Sequence, residues 1–217
     1  MKKLVKLVLI RTLTTTLSVP MLAQAESALV NPATTGSNAA AHLNFSIVIN
    51  PALFLRVSTS AGNAASDGTI DALPFTVPSA NVGDGTVIRS VGGDLTGGAA
   101  TVRVYGNGGS ISLNSTTTGP LVSAAGDTIL WSQIGVSASA LPSGTAGFTN
   151  GAVPHPAFNT GSASGNGAAT TLESANKVVR VEGRWTYTYR NANSVPAGTS
   201  GAAAARNGRV TYTATQL

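Results

Sequence analysis

Residues 177–190 read K-V-V-R-V-E-G-R-W-T-Y-T-Y-R. Val179, Val181, Trp185, Tyr187 and Tyr189 share one parity, and Arg180, Glu182, Arg184, Thr186, Thr188 and Arg190 share the other. Side chains of a strand point alternately to opposite faces, so this period predicts one long strand with a buried face and a wet face. A Pro/Gly-rich connection follows, and residues 209–215 alternate again, predicting a final strand. Early in the chain Leu43, Phe45, Ile47 and Ile49 alternate with Asn44, Ser46 and Val48. Asn50-Pro51 interrupts the run before Leu53, Leu55 and Val57 resume it. Proline removes a backbone donor and restricts its predecessor, so two readings stand: one kinked first strand, or two separable strands.

Between these ends, residues 86–91 predict a strand. Residues 100–105 and 110–114 flank Gly106-Asn107-Gly108-Gly109, whose members tolerate positive φ, and predict a hairpin. Residues 128–138 predict another strand, but its apolar parity shifts from Ile129 and Trp131 to Ile134, Val136 and Ala138. Such a shift is expected of a bulge, or of a strand that moves between sheets. Residues 70–77 hold Pro74 and precede Pro78, which makes them an edge or irregular piece. Residues 141–171 carry Pro142, Pro154 and Pro156 and form a long connection of the kind that is functional or mobile. Helix signals are nearly absent. About eight short strands with this turn spacing predict an all-β fold, an immunoglobulin-like antiparallel β-sandwich.

Residues 1–25 change the picture of charge and destination. Lys2, Lys3 and Lys6 precede an apolar stretch over 7–22, and Ala23-Gln24-Ala25 gives a small-x-small cleavage pattern. This predicts a signal peptide and export, with a flexible leader over 26–42 and the sandwich domain over 43–217. Four of the 13 Lys+Arg lie in the signal, whereas all 8 Asp+Glu follow it, so the mature chain carries about +1. The basic pI therefore belongs mostly to the signal, and the dispersed cations give no nucleic-acid face. Cysteine is absent, which excludes a thiol nucleophile and a thiolate metal site.

Candidate chemistry is sparse. Asp67, Asp71, Asp84, Asp94, Asp127, Glu173 and Glu182 mostly neighbour glycine or threonine and read as turn residues. Calcium wants six to eight oxygens from closely spaced carboxylates, a spacing not found here. His42 and His155 are the only histidines, and neither a Gly-x-Ser-x-Gly elbow nor a His-Glu-x-x-His run occurs. No enzyme, cofactor or metal is expected. Trp131, Trp185, Tyr187, Tyr189 and Tyr212 read as core, and Arg180, Arg184 and Arg190 as solvated strand positions.

Val195-Pro196-Ala197-Gly198-Thr199, followed by Thr211-Tyr212-Thr213-Ala214-Thr215, resembles the end of bacterial chaperone–usher pilins, particularly the archaic, spore-coat-U-like group. Residues 43–49 resemble the N-terminal segment of those subunits, although the family's common cysteine pair is missing. The resemblance implies a surface fimbria subunit, assembled when one subunit's extension completes its neighbour's sandwich. The partners implied are further copies of the chain, a periplasmic chaperone and an outer-membrane usher. Independently of the family, Leu43, Phe45, Ile47 and Ile49 have the alternation a donor strand needs. Val210 and Tyr212 are the candidate acceptor-groove residues. Two alternatives stand beside this. Residues 43–49 would instead be the first strand of a complete domain, or the protein would be a secreted monomeric sandwich that binds glycans.

Overall fold

β-Branched and aromatic residues dominate the regular elements, as a pleated and largely buried surface requires. The computed structural model describes residues 26–59 and 66–217, so the expected signal peptide lies outside the described residues. The strands are β1 (Leu53–Val57), β2 (Ile88–Arg89), β3 (Ala99–Gly106), β4 (Ile111–Thr117), β5 (Leu121–Val122) and β6 (Thr128–Ile129). They continue with β7 (Ile134–Ser139), β8 (Thr149–Asn150), β9 (Gly165–Asn166), β10 (Thr170–Leu172), β11 (Val179–Tyr189) and β12 (Val210–Gln216). Contacts divide the chain between Ile49 and Asn50. Residues 26–49 contain turns and a Glu26–His42 contact of 2.9 Å but no strand.

Residues 50–217 form an antiparallel β-sandwich. In the first sheet β3 lies between β1 and β11, and β7 pairs with β11 on the side away from β3. The short β8 extends that side in parallel, and β2 pairs with the end of β11. In the second sheet β4 lies between β12 on one side and β10 and β9 on the other. A separate ribbon joins β5 to β6. Val102 and Val104 of β3, Ile111 and Leu113 of β4, and Trp185 and Tyr187 of β11 pack into one buried cluster between the sheets.

The predicted hairpin is not one. β3 and β4 belong to different sheets, and residues 106–109 form an arch across the sandwich. Asn107 fixes one foot: its side chain accepts from Ala52 N at 2.7 Å and donates to Asn50 O at 2.9 Å. Gly109 in the arch has φ +145°, and a Cβ there would lie 2.9 Å from Leu217 O, so that position needs glycine. The strand expected over 128–138 is also divided. A 3₁₀ turn at Trp131–Gln133 separates β6 from β7, and this turn accounts for the shifted parity. Of the strand expected over 86–91 only β2 forms, and 70–77 is irregular. At Asn50-Pro51 the structure has a separate β1, with no strand over 43–49.

Candidate assembly edge

β12 pairs with β4 alone, and β1 pairs with β3 alone, among the described residues. Both are therefore edge strands, each with a row of outward N–H and C=O groups. They approach each other to within 8 Å between Cα atoms at one side of the sandwich. Alternation sends Thr211, Thr213 and Thr215 to solvent, while Val210, Tyr212, Ala214 and Gln216 are half-buried. Tyr212 and Ala214 pack against the central cluster, as do Leu55 and Val57 of β1. The structure thus places the two predicted groove residues, Val210 and Tyr212, on one face of a free-edged strand. An inward face that stays half-open is unusual for a completed sandwich, because neighbouring strands normally cover it.

The predicted donor residues are exposed. Leu43, Phe45, Ile47 and Ile49 keep between 74 % and 86 % of their surface open, and Val48 keeps 83 %. Scattered exposed apolar residues are ordinary, but five large ones within seven positions are a concentrated apolar surface.

Two groups of side chains were not legible as functional or structural centres. The first lies on the supposedly wet face of β11. Glu182 is fully buried, and its Oε2 accepts from Arg103 Nε at 2.9 Å and Nη2 at 2.8 Å. Its Oε1 accepts from Thr145 N, and Arg103 Nη2 also donates to Thr145 Oγ1 at 2.5 Å. Arg103 and Arg180 stack on Phe148 at 4.8 and 4.9 Å from its ring centroid. Residues 144–150 therefore cover a face that alternation alone assigns to water. Burial pushes the Glu182 carboxyl up, but the Thr145 and Arg103 hydrogen bonds outweigh it and hold the group below the usual range. Arg180 and Arg190 remain exposed, in agreement with expectation, whereas Arg184 is half-buried and donates from Nη2 to Thr96 O at 3.1 Å.

The second group surrounds His155. Its ring stands edge-on to Phe158, Trp185, Tyr187 and Tyr212, with centroids 4.8, 4.6, 6.0 and 5.4 Å away. His155 Nε2 lies 2.8 Å from Tyr212 Oη, which lies 3.1 Å from Tyr187 Oη. The segment carrying it, residues 153–158, runs between the sheets. Trp185 Nε1 donates to Val153 O at 2.7 Å, and Ser115 Oγ donates to Ala157 O at 2.6 Å. Gly183 permits this path, since a Cβ there would collide with Gly151 O. The 141–171 connection is therefore largely structural packing: it supplies β8, β9, the start of β10 and a strap that packs Val153 and Phe158 against the core while Pro154 and Ala157 stay exposed. Proline on both sides of His155 signalled an extended segment, but nothing in the sequence signalled its burial.

Burial pushes His155 down to about 4 from an ordinary value near 6.5. A depressed folded-state value means that stability is fully present above about 6.5 and is lost as pH falls toward 4. Chemical denaturation is expected to show a loss of about 3 kcal/mol over that window, from roughly 1.4 kcal/mol per unit. The His155→Gln protein should keep its stability over the upper part of that window. It should begin to lose it only from about pH 5 downward, where the unfolded chain protonates the carboxyls of Glu182 and Asp71 that the fold keeps ionised. Equal losses in the two proteins would rule His155 out as the cause.

The remaining carboxylates behave as turn and strand-end ties. Asp67 Oδ1 accepts from Thr69 N at 2.8 Å, and Asp84 Oδ1 accepts from Thr86 N at 2.7 Å. Asp94 accepts from Thr101 N at 2.7 Å and from Arg56 Nη2 at 3.1 Å. No cluster of three or more His, Asp or Glu suited to a metal occurs among the described residues. A shallow cleft beside β7 is lined by Trp131, Ser132, His155, Phe158, Thr160 and Arg190. Compared with known proteins, the chain matches no family model, no curated protein and no solved structure.

Proposed function

We propose that the protein is a structural subunit of a surface fimbria or related secreted polymer, assembled by strand exchange. The observation that carries this reading is the strand order. A seven-strand immunoglobulin-like sandwich has strands A, B, E and D in one sheet and C, F and G in the other. Taken in chain order, β1-β3-β11-β7 corresponds to the first sheet, and β4-β12 corresponds to C and F. Among the described residues no strand takes the seventh position, at the free edge of β12.

A donor strand from another copy would pair there through main-chain hydrogen bonds and lay alternate side chains over Val210, Tyr212 and Ala214. Leu43, Phe45, Ile47 and Ile49 supply such a strand, and burying four large apolar side chains at about 1.5–3 kcal/mol each contributes several kcal/mol. The copies would be the main partner. An edge with a half-open apolar face is prone to aggregation, so a periplasmic chaperone and an outer-membrane usher would have to shield and order it during export.

Full-length protein concentrated at neutral pH is expected to form a ladder of multimers on mildly denaturing gels. Either Phe45→Asp or Ile47→Asp should reduce it to monomer with an unchanged circular dichroism spectrum. A ladder unaffected by both substitutions, or a wild type that stays monomeric, sinks the reading.

The cleft beside β7 favours a second reading, a monomeric glycan binder, because aromatic rings, hydroxyls and Arg190 converge there. Arg190→Ala and Ser132→Ala test it without removing the strap, and unchanged glycan-array binding in both excludes it.

A further inference from the structure

We propose that His155 is the positioning residue of the β12 edge: through it the 153–158 strap holds Tyr212, and so fixes the face on which β12 receives a donor strand. The inference rests on the strand-exchange reading and adds a control point within the acceptor.

Tyr212 lies at the middle of β12, between the half-buried Val210 and Ala214. On a free-edged strand a phenol would ordinarily be able to swing toward water. Here its hydroxyl is tied to His155 Nε2 at 2.8 Å and Tyr187 Oη at 3.1 Å, and its ring lies 5.2 Å from that of Trp185. The strap cannot follow Tyr212 outward, because Trp185 Nε1 holds Val153 O and Ala157 N bonds Ala168 O at 2.9 Å. His155 therefore joins an element anchored in the core to the strand whose outer edge is open.

The direction of the hydrogen bonds in this link follows the protonation of His155. In the neutral tautomer protonated on Nδ1, Tyr187 donates to Tyr212, and Tyr212 donates to His155 Nε2. A protonated imidazole donates at Nε2 instead, which reverses the chain and leaves the Tyr187 hydroxyl needing another acceptor. It also places a charge among aromatic rings, where desolvation penalises it. The titratable groups that face the ring are Tyr187 and Tyr212, both neutral because burial pushes phenols up. Phe158 and Trp185 carry no charge, and among the described residues Arg190 is the one cation lining the adjoining cleft and no carboxylate lines it. The value near 4 for His155 places the change in mild acid.

The test uses the full-length chain carrying Phe45→Asp and Ile47→Asp, so that its own segment cannot donate. A fluorescent synthetic peptide of residues 40–51 serves as the strand probe. Its dissociation constant is measured by anisotropy between pH 7 and pH 4, with circular dichroism recorded at each point. Affinity is expected to fall about twofold by pH 4, where about half of the imidazole is protonated, while the fold persists, and His155→Gln should abolish that fall. Tyr212→Phe, which keeps the ring and cuts the link, should also flatten it and weaken binding at pH 7. A profile unchanged by either substitution overturns the positioning role while leaving strand exchange intact. An absence of peptide binding at every pH, with the protein folded, overturns strand exchange and this inference together.

Discussion

Arg103→Ala is expected to lower the unfolding free energy by about 3–5 kcal/mol, because it leaves the carboxylate of Glu182 buried without its cation. Arg103 is itself almost fully buried and holds Glu182 through two nitrogens, so no water replaces it cheaply. The same substitution removes one of the two guanidinium planes on Phe148 and the partner of Thr145 Oγ1, which loosens the 144–150 cover. A loss of that size is a large share of the roughly 5–15 kcal/mol by which domains are stable. Urea denaturation at pH 7 measures it. The double substitution Arg103→Met with Glu182→Leu should recover much of the loss, since no charge is stranded. Recovery should be incomplete, because Thr145 N loses its acceptor. A single-mutant loss below about 1 kcal/mol would mean that the pair is solvated and the cover absent.

Trp185→Ala should cost a similar amount, about 3–5 kcal/mol, for a different reason. Its ring is fully buried, packs against His155 and Tyr212, and donates at 2.7 Å to Val153 O. Trp185→Phe separates these contributions. It keeps most of the apolar volume but leaves the Val153 carbonyl without its donor, an expected loss of about 1–3 kcal/mol. Amide exchange across 153–158 should accelerate in both variants relative to β3, as the strap loses its anchor. Equal destabilisation by phenylalanine and alanine would show that the indole hydrogen bond, rather than packing, dominates; unaltered exchange in the strap would refute the anchoring role.

A strict period of two located β11 and β12, although the equally regular run over 43–49 forms no strand. β11 lies within its alternating run, β12 runs one residue past the run over 209–215, and β1 begins just after Pro51. Turn composition was a poorer guide. Gly106-Asn107-Gly108-Gly109 announces a reversal, yet positive-φ tolerance is the same whether the next strand pairs beside the last or crosses to the opposite sheet. β3 gave the warning in retrospect: Thr101 and Arg103 are buried along with its valines, so the strand is covered on both faces. A charged residue buried by pairing looks identical, in sequence, to one exposed by alternation. For that reason Glu182 read as solvated.

Local sequence by itself determined the all-β character, the strands β11 and β12, and the parity of Val210 and Tyr212, because side-chain direction along a strand follows from backbone geometry alone. Tertiary structure decided which strands became neighbours, which edges stayed open, and that residues 144–158 would cover Glu182 and insert His155 between Trp185 and Tyr212. Those outcomes depend on contacts between segments far apart in the chain, such as Arg103 with Glu182 and His155 with Tyr212. No periodicity within either segment encodes them.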